Sequence, residues 1–79
     1  MKLPRDLGGQ ELARLLCRNW GYRQLHQTGS HIILETEAPS HHRIAIPAHR
    51  ALRVGTLNGI LRAVSRHKNV TREDLLNRL

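Results

Sequence analysis

The sequence contains very few aromatic residues: no phenylalanine, one tryptophan (Trp20) and one tyrosine (Tyr22) among 79 residues. The core must therefore be aliphatic, built from leucine, isoleucine and valine. No exposed row of aromatic rings, of the kind on which proteins stack single-stranded bases, is visible in the sequence.

Cysteine and long apolar runs are equally scarce. Cys17 is the single cysteine, so no internal disulfide can form, which fits a reducing compartment. No apolar run approaches the roughly 20 residues of a transmembrane helix. Residues 1–9 also lack the apolar segment of a signal peptide. We therefore expect a cytoplasmic protein without a membrane partner.

The chain is short and poor in acidic residues. Its 79 residues suffice for one domain, residues 1–79, which buries about 63% of its surface on folding. Such a thin core has no room for a large cofactor, and we expect none. Thirteen Lys and Arg against six Asp and Glu give a net charge of +7. This basic surface favours a nucleic acid as the partner, with an acidic protein as the alternative.

Turn residues and apolar spacing predict one helix followed by three strands. The helix is expected to begin at Gly8 or Gly9 and to stop at Gly21. The strands are expected at residues 22–28, 31–37 and 41–46, and Gly29-Ser30 has the pattern of a type II′ hairpin turn. These elements predict an antiparallel meander.

Two further helices complete the predicted fold. Thr56 is expected to cap the second helix, and Thr71 is expected to cap a short last helix with Asp74 at its third position. The second helix carries an apolar stripe at helical spacing, made of Leu57, Ile60, Leu61 and Val64. The order α-β-β-β-α-α predicts an α+β two-layer sandwich with the helices on one face of a three-stranded sheet. Glu35 and Glu37 are expected to face solvent.

Six histidines allow three interpretations. A metal site is not expected, because His41 and His42 are adjacent on a strand and point to opposite faces, and no other ligand spacing is present. General acid–base catalysis is the second interpretation, since imidazole exchanges a proton near neutral pH. RNA brings its own nucleophile, the 2′-hydroxyl, so cleavage needs only proton transfer and cations around the phosphate. The third interpretation is that the histidines are exposed polar residues without a role.

His31 is the strongest catalytic candidate among them. It follows the tight Gly29-Ser30 turn, so it stands on a rigid element at the rim of the sheet, as a catalytic group requires. Arg50 and Arg53 precede the second helix, where they are either phosphate contacts or part of a solvated face.

Four segments in order resemble HicA-type (YcfA-like) toxins, a family of bacterial mRNA interferases. They are Lys2-Leu3-Pro4-Arg5 with Gly9-Gln10-Glu11-Leu12, then Trp20-Gly21-Tyr22, then Thr28-Gly29-Ser30-His31, then Ile46-Pro47-Ala48-His49 leading to Gly55-Thr56-Leu57 and Ile60-Leu61. Residues 71–76 also match the short last helix of the family. The resemblance covers nearly the whole chain, and its specificity comes from the order and spacing of individually weak motifs.

The resemblance implies a fold like that of a double-stranded-RNA-binding domain and a toxin of a type II toxin–antitoxin system. It implies metal-independent endoribonuclease activity on mRNA, with His31 as the catalytic histidine of the Gly-Ser-His motif. It also implies a HicB-type antitoxin that covers the His31 surface. On this hypothesis, five further residues contact the RNA: Ser30, Arg43, His49, Arg50 and Arg53.

Two other functions remain open from the sequence. A non-catalytic RNA-binding module of similar fold would read the shape of duplex RNA. A protein-interaction module would use its basic face to hold an acidic partner. Cleavage of RNA distinguishes the first hypothesis from both.

Overall fold

A computed structural model describes residues 6–79 and confirms the predicted α-β-β-β-α-α order. The Lys2-Leu3-Pro4-Arg5 segment of the family motif lies outside the described residues. The elements are α1 (Gly9–Asn19), β1 (Arg23–Thr28), β2 (His31–Thr36), β3 (His42–Pro47), α2 (Val54–Lys68) and α3 (Arg72–Asn77).

Glycines flank helix α1, as predicted. Gly8 is its extended N-terminal cap residue, and Gly21 stops the helix in a left-handed conformation with φ of +74°. The helix buries Leu12, Ala13 and Leu16 against the sheet. These positions recur at helical spacing, so the buried stripe follows directly from the sequence.

The sheet is an antiparallel meander in the order β1-β2-β3. Gly29, with φ of +57°, supplies the backbone conformation that the hairpin turn needs. Strand β2 turns Ile32 and Leu34 toward the helices, and both are almost fully buried. Because side chains alternate along a strand, His31 and its alternate neighbours along β2 lie on the other face, which none of the helices in residues 6–79 covers. We call this the open face.

Helix α2 begins three residues earlier than the sequence predicted, at Val54. Its N-terminal cap is Arg53, whose side chain makes no capping hydrogen bond, so the prediction that Thr56 caps the helix is wrong. The Leu52 amide donates to the Leu7 carbonyl at 2.8 Å, which fixes the chain immediately before the helix. A tertiary contact therefore sets this boundary in place of a local cap.

The rest of the helical layer agrees with the predicted pattern. Leu57, Leu61 and Val64 are buried, and Ile60 is half-buried at the edge of the core. Thr71 caps α3 by accepting a hydrogen bond from the Asp74 amide at 3.0 Å. The helices and the sheet thus enclose one aliphatic core, as the shortage of aromatic residues required.

Candidate functional site

His31 is the first residue of β2 and lies on the open face. It pairs with Thr28 of β1 and with Pro47 of β3, so strands hold its backbone on both sides. Its side chain is exposed, while the next residue, Ile32, is 1% exposed and anchors the strand in the core. The imidazole is thus accessible to a large substrate on a backbone that cannot easily shift.

The segment that follows β3, residues 48–53, is fastened beside this histidine; we call it the basic loop. The Ala48 amide donates to the Ser30 carbonyl at 2.6 Å, and the His49 carbonyl accepts from the Gly9 amide at 2.9 Å. The hairpin turn, the basic loop and the start of α1 therefore meet at one end of the sheet. Ser30, His49 and Arg50 are all exposed there.

Two glycines permit this close approach. A Cβ atom at Gly8 would lie 2.7 Å from the Arg50 carbonyl oxygen, and one at Gly9 would lie 1.8 Å from the Pro47 carbonyl oxygen. Only residues without a side chain fit against the loop backbone at these distances. The Gly8-Gly9 pair is therefore required by packing as well as by the start of the helix.

Arg53 and Arg43 occupy different places relative to His31. Arg53 is exposed and ends the basic loop at the start of α2. Arg43 pairs with Glu35, which lies four residues beyond His31, roughly 13 Å along the strand. The structure therefore gathers Ser30, His31 and the basic loop but leaves Arg43 at the other end of the open face.

The Glu35 carboxylate corrects the expectation that this residue faces solvent. Glu35 is 7% exposed, and its oxygens lie 2.8 Å from Arg23, 3.4 Å from Arg43 and 3.3 Å from His41. Burial alone would raise its pKa, but hydrogen bonds from His41 and Arg43 and the charge of Arg23 together lower it. Glu37 stays exposed, as expected.

The same carboxylates form the one group of potential metal ligands found within residues 6–79. Ligand atoms of Glu35, Glu37 and His41 lie within 4.8 Å of one another. Arg23 donates to both carboxylates, at 2.8 and 3.4 Å, and Arg43 donates to Glu35 as well. The guanidinium groups already compensate the negative charge, so the group is better described as an ion-pair network.

A pair of stacked histidines lies at the end of the sheet far from the basic loop. The rings of His42 and His67 stack with their centroids 4.3 Å apart, and His42 Nδ1 lies 3.0 Å from the Tyr22 hydroxyl. Burial lowers the pKa of His42, and the charges of His67, Lys68 and His41 lower it further. These contacts join the last turn of α2 to β3, so the pair contributes to the fold.

The sequence also matches the model of a known protein family. The model of the HicA toxin family, described as the HicA toxin of bacterial toxin–antitoxin, matches residues 9–65. The chain belongs to the HicA toxin family. No curated protein and no solved structure matches it. The matched region of this HicA toxin runs from the first residue of α1 into α2, so it contains His31 and the whole basic loop.

Family membership makes this HicA toxin one component of a toxin–antitoxin system, so an antitoxin is its partner. Toxins of the family are generally ribonucleases. None of the helices in residues 6–79 is long and apolar enough to cross a membrane.

Proposed function

We propose that this HicA toxin is a metal-independent endoribonuclease that cleaves mRNA with His31 as its general acid or base. The main support for this proposal is the position of His31. Its exposed imidazole stands on a strand that is paired on both sides, at the end where the basic loop is hydrogen-bonded to Ser30. Such rigidity is what proton transfer in a transition state demands.

The chemistry requires few groups. The 2′-hydroxyl of a ribose attacks the adjacent phosphorus, its proton goes to a base, and the departing 5′-oxygen receives a proton from an acid. The products are a 2′,3′-cyclic phosphate and a free 5′-hydroxyl. Cations near the phosphate stabilise the negative charge that develops on its oxygens. The exposed side chains of His49, Arg50 and Arg53 on the basic loop are proposed for this role, with Ser30 as a polar contact.

Arg43 is proposed to act further along the RNA. Its pairing with Glu35, roughly 13 Å along the strand from His31, favours contact with a different phosphate. Its guanidinium lies on the open face with Arg23, where it can hold the backbone of a strand that continues past the reacting nucleotide. Such contacts contribute affinity without reading sequence.

The proposed partner is a HicB-type antitoxin that covers the His31 surface. A net charge of +7 favours an acidic inhibitor, since complementary charge speeds capture. The antitoxin should protect the hairpin turn and the basic loop from hydrogen exchange, and protection confined to other surfaces would contradict direct blocking.

Cleavage of end-labelled single-stranded RNA in the presence of EDTA tests the activity. We expect cleavage by the wild type and by His41→Ala, a control at an exposed histidine that contacts Glu35 in the ion-pair network away from the basic loop, and none by His31→Ala. All three proteins should have the same circular dichroism spectrum. The same comparison in a translating extract tests whether cleavage requires ribosomes. Cleavage by His31→Ala at the wild-type rate, or no cleavage by the wild type in either assay, would refute the proposal.

A further inference from the structure

A groove of about 310 Å³ lies between α1 and the edge strand β1; we call it the edge groove. Its walls carry the side chains of Gln10, Arg14, Gln24 and Gln27, and its floor includes the buried residues Ala13 and Ile32. Ile32 directly follows His31 in the chain. The groove is on the helix side of the sheet, behind the same strand end that presents His31 on the open face.

An irregularity in β1 places two amides on this side. Residues three apart on a regular strand face opposite sides of the sheet. The register between β1 and β2 shifts between Gln24 and His26, so Gln24 pairs with Leu34 and Gln27 pairs with Ile32. Leu34 and Ile32 both face the helices, and their partners therefore do so too. The bulge thus builds a wall of two glutamines where regular pairing would give one.

Helix α1 supplies the opposite wall. Gln10, Ala13 and Arg14 are spaced by three and four residues, which places them on one side of the helix. Gln10 and Arg14 also line a second hollow, of about 420 Å³, together with Ala48, His49 and Arg50 of the basic loop and the carboxylates of Asp6 and Glu11. The edge groove therefore adjoins the surface beside the candidate active site.

The polar groups of the groove are available to a ligand. Gln10 and Gln24 have no side-chain hydrogen bond to any other part of residues 6–79, and Gln27 uses only its amide nitrogen, which donates to the Gly29 carbonyl at 3.2 Å. Each amide can donate and accept at once, which matches the edge of a nucleobase. A guanidinium can pair with a base edge or stack on its face, and the apolar floor suits the face of a ring.

We propose that the edge groove binds one unpaired nucleobase of the RNA and so gives the toxin a base preference near its cleavage site. This inference rests on the proposed function, because a preference near the cleavage site presupposes that the toxin cleaves RNA. Proteins that read RNA sequence commonly take unpaired bases and hydrogen-bond their edges. Gln24 is the specificity-determining residue, and Arg14 positions the base against it.

Selection from random single-stranded RNA octamers tests the groove without cleavage. The parent protein is His31→Ala, which leaves the groove intact; bound RNA is sequenced. We expect one base to be enriched about tenfold at one position, which corresponds to one good amide contact of about 1.4 kcal/mol. Gln24→Ala should reduce the enrichment to about twofold. Arg14→Ala should reduce it as well, whereas Arg18→Ala, an equal loss of charge one turn away, should preserve it.

The outcomes separate this inference from the proposed function. Three results would overturn the proposal that the edge groove binds a base. They are no base enrichment in the parent, no binding of any octamer by the parent, and unchanged enrichment in Gln24→Ala. Enrichment that Gln24→Ala abolishes would support the groove even if the wild type cleaved no RNA, and only the ribonuclease proposal would then fail. Conversely, cleavage by the wild type without base enrichment would support the ribonuclease and overturn the groove.

Discussion

Substitution of Gly9 by alanine tests whether the start of α1 and the basic loop fit together as described. The added Cβ would lie 1.8 Å from the Pro47 carbonyl oxygen and 3.2 Å from the Ala48 Cα. Both neighbours are backbone atoms at the junction of β3 and the basic loop, where the Ala48 amide donates to the Ser30 carbonyl. Neither can move aside as a flexible side chain would, so the helix and the loop must separate by roughly 1 Å or more.

The expected loss follows from what the separation breaks. The hydrogen bond from the Gly9 amide to the His49 carbonyl is worth about 1 kcal/mol, and forced displacement in a packed region costs about 1–3 kcal/mol. A loss of about 3 kcal/mol is a large part of the roughly 4–12 kcal/mol that stabilises a domain of this size. The melting temperature should fall by roughly 12–24 °C.

Urea unfolding followed by circular dichroism measures the change. Gly59→Ala is the matched control, because a Cβ there meets nothing within 4 Å and the position is inside α2. Alanine favours a helix over glycine, so this variant should gain about 0.5–1 kcal/mol. A Gly9→Ala protein that unfolds within about 1 kcal/mol of the wild type would refute the described contact between α1 and the basic loop.

Two further predictions concern ionisable groups. The pKa of Glu35 is lowered from 4.5 in the folded protein, so this carboxylate binds a proton more readily in the unfolded chain. The stability that ionised Glu35 contributes is therefore complete above pH 4.5 and is lost as the pH falls through the lowered pKa. Glu35→Gln should remove this acid dependence and destabilise the protein at pH 7 more than Glu37→Gln does, as thermal unfolding at several pH values would measure; equal effects would contradict the ion-pair network. The pKa of His42 is likewise lowered from 6.5, so stability should fall as the pH drops below 6.5. Replacing its stacked neighbour in His67→Gln should raise the pKa of His42 in an NMR titration, and an unchanged pKa would show that the stacked ring has no electrostatic effect.

The local features of this protein could be predicted from its sequence. The apolar stripe of α2, the glycines that bound α1, the Gly29-Ser30 turn and the Thr71 cap each depend on residues a few positions apart. These signals consist of the spacing of apolar residues and the backbone preferences of glycine and capping residues. They were therefore sufficient to predict the element order and the fold class. They also placed His31 at the start of a strand, and the resemblance to HicA toxins led to the family that the comparison confirmed.

Which residues share a surface depends instead on how the folded elements pair and pack. The register of three strands buried Glu35 between two arginines and set Arg43 apart from His31. A backbone contact from Leu7 to Leu52 moved the start of α2 ahead of Thr56, and the bulge in β1 turned Gln24 and Gln27 to one side. Each outcome depends on pairing between segments distant in the chain, which local propensity does not encode, because one residue of slip exchanges the two faces of a strand.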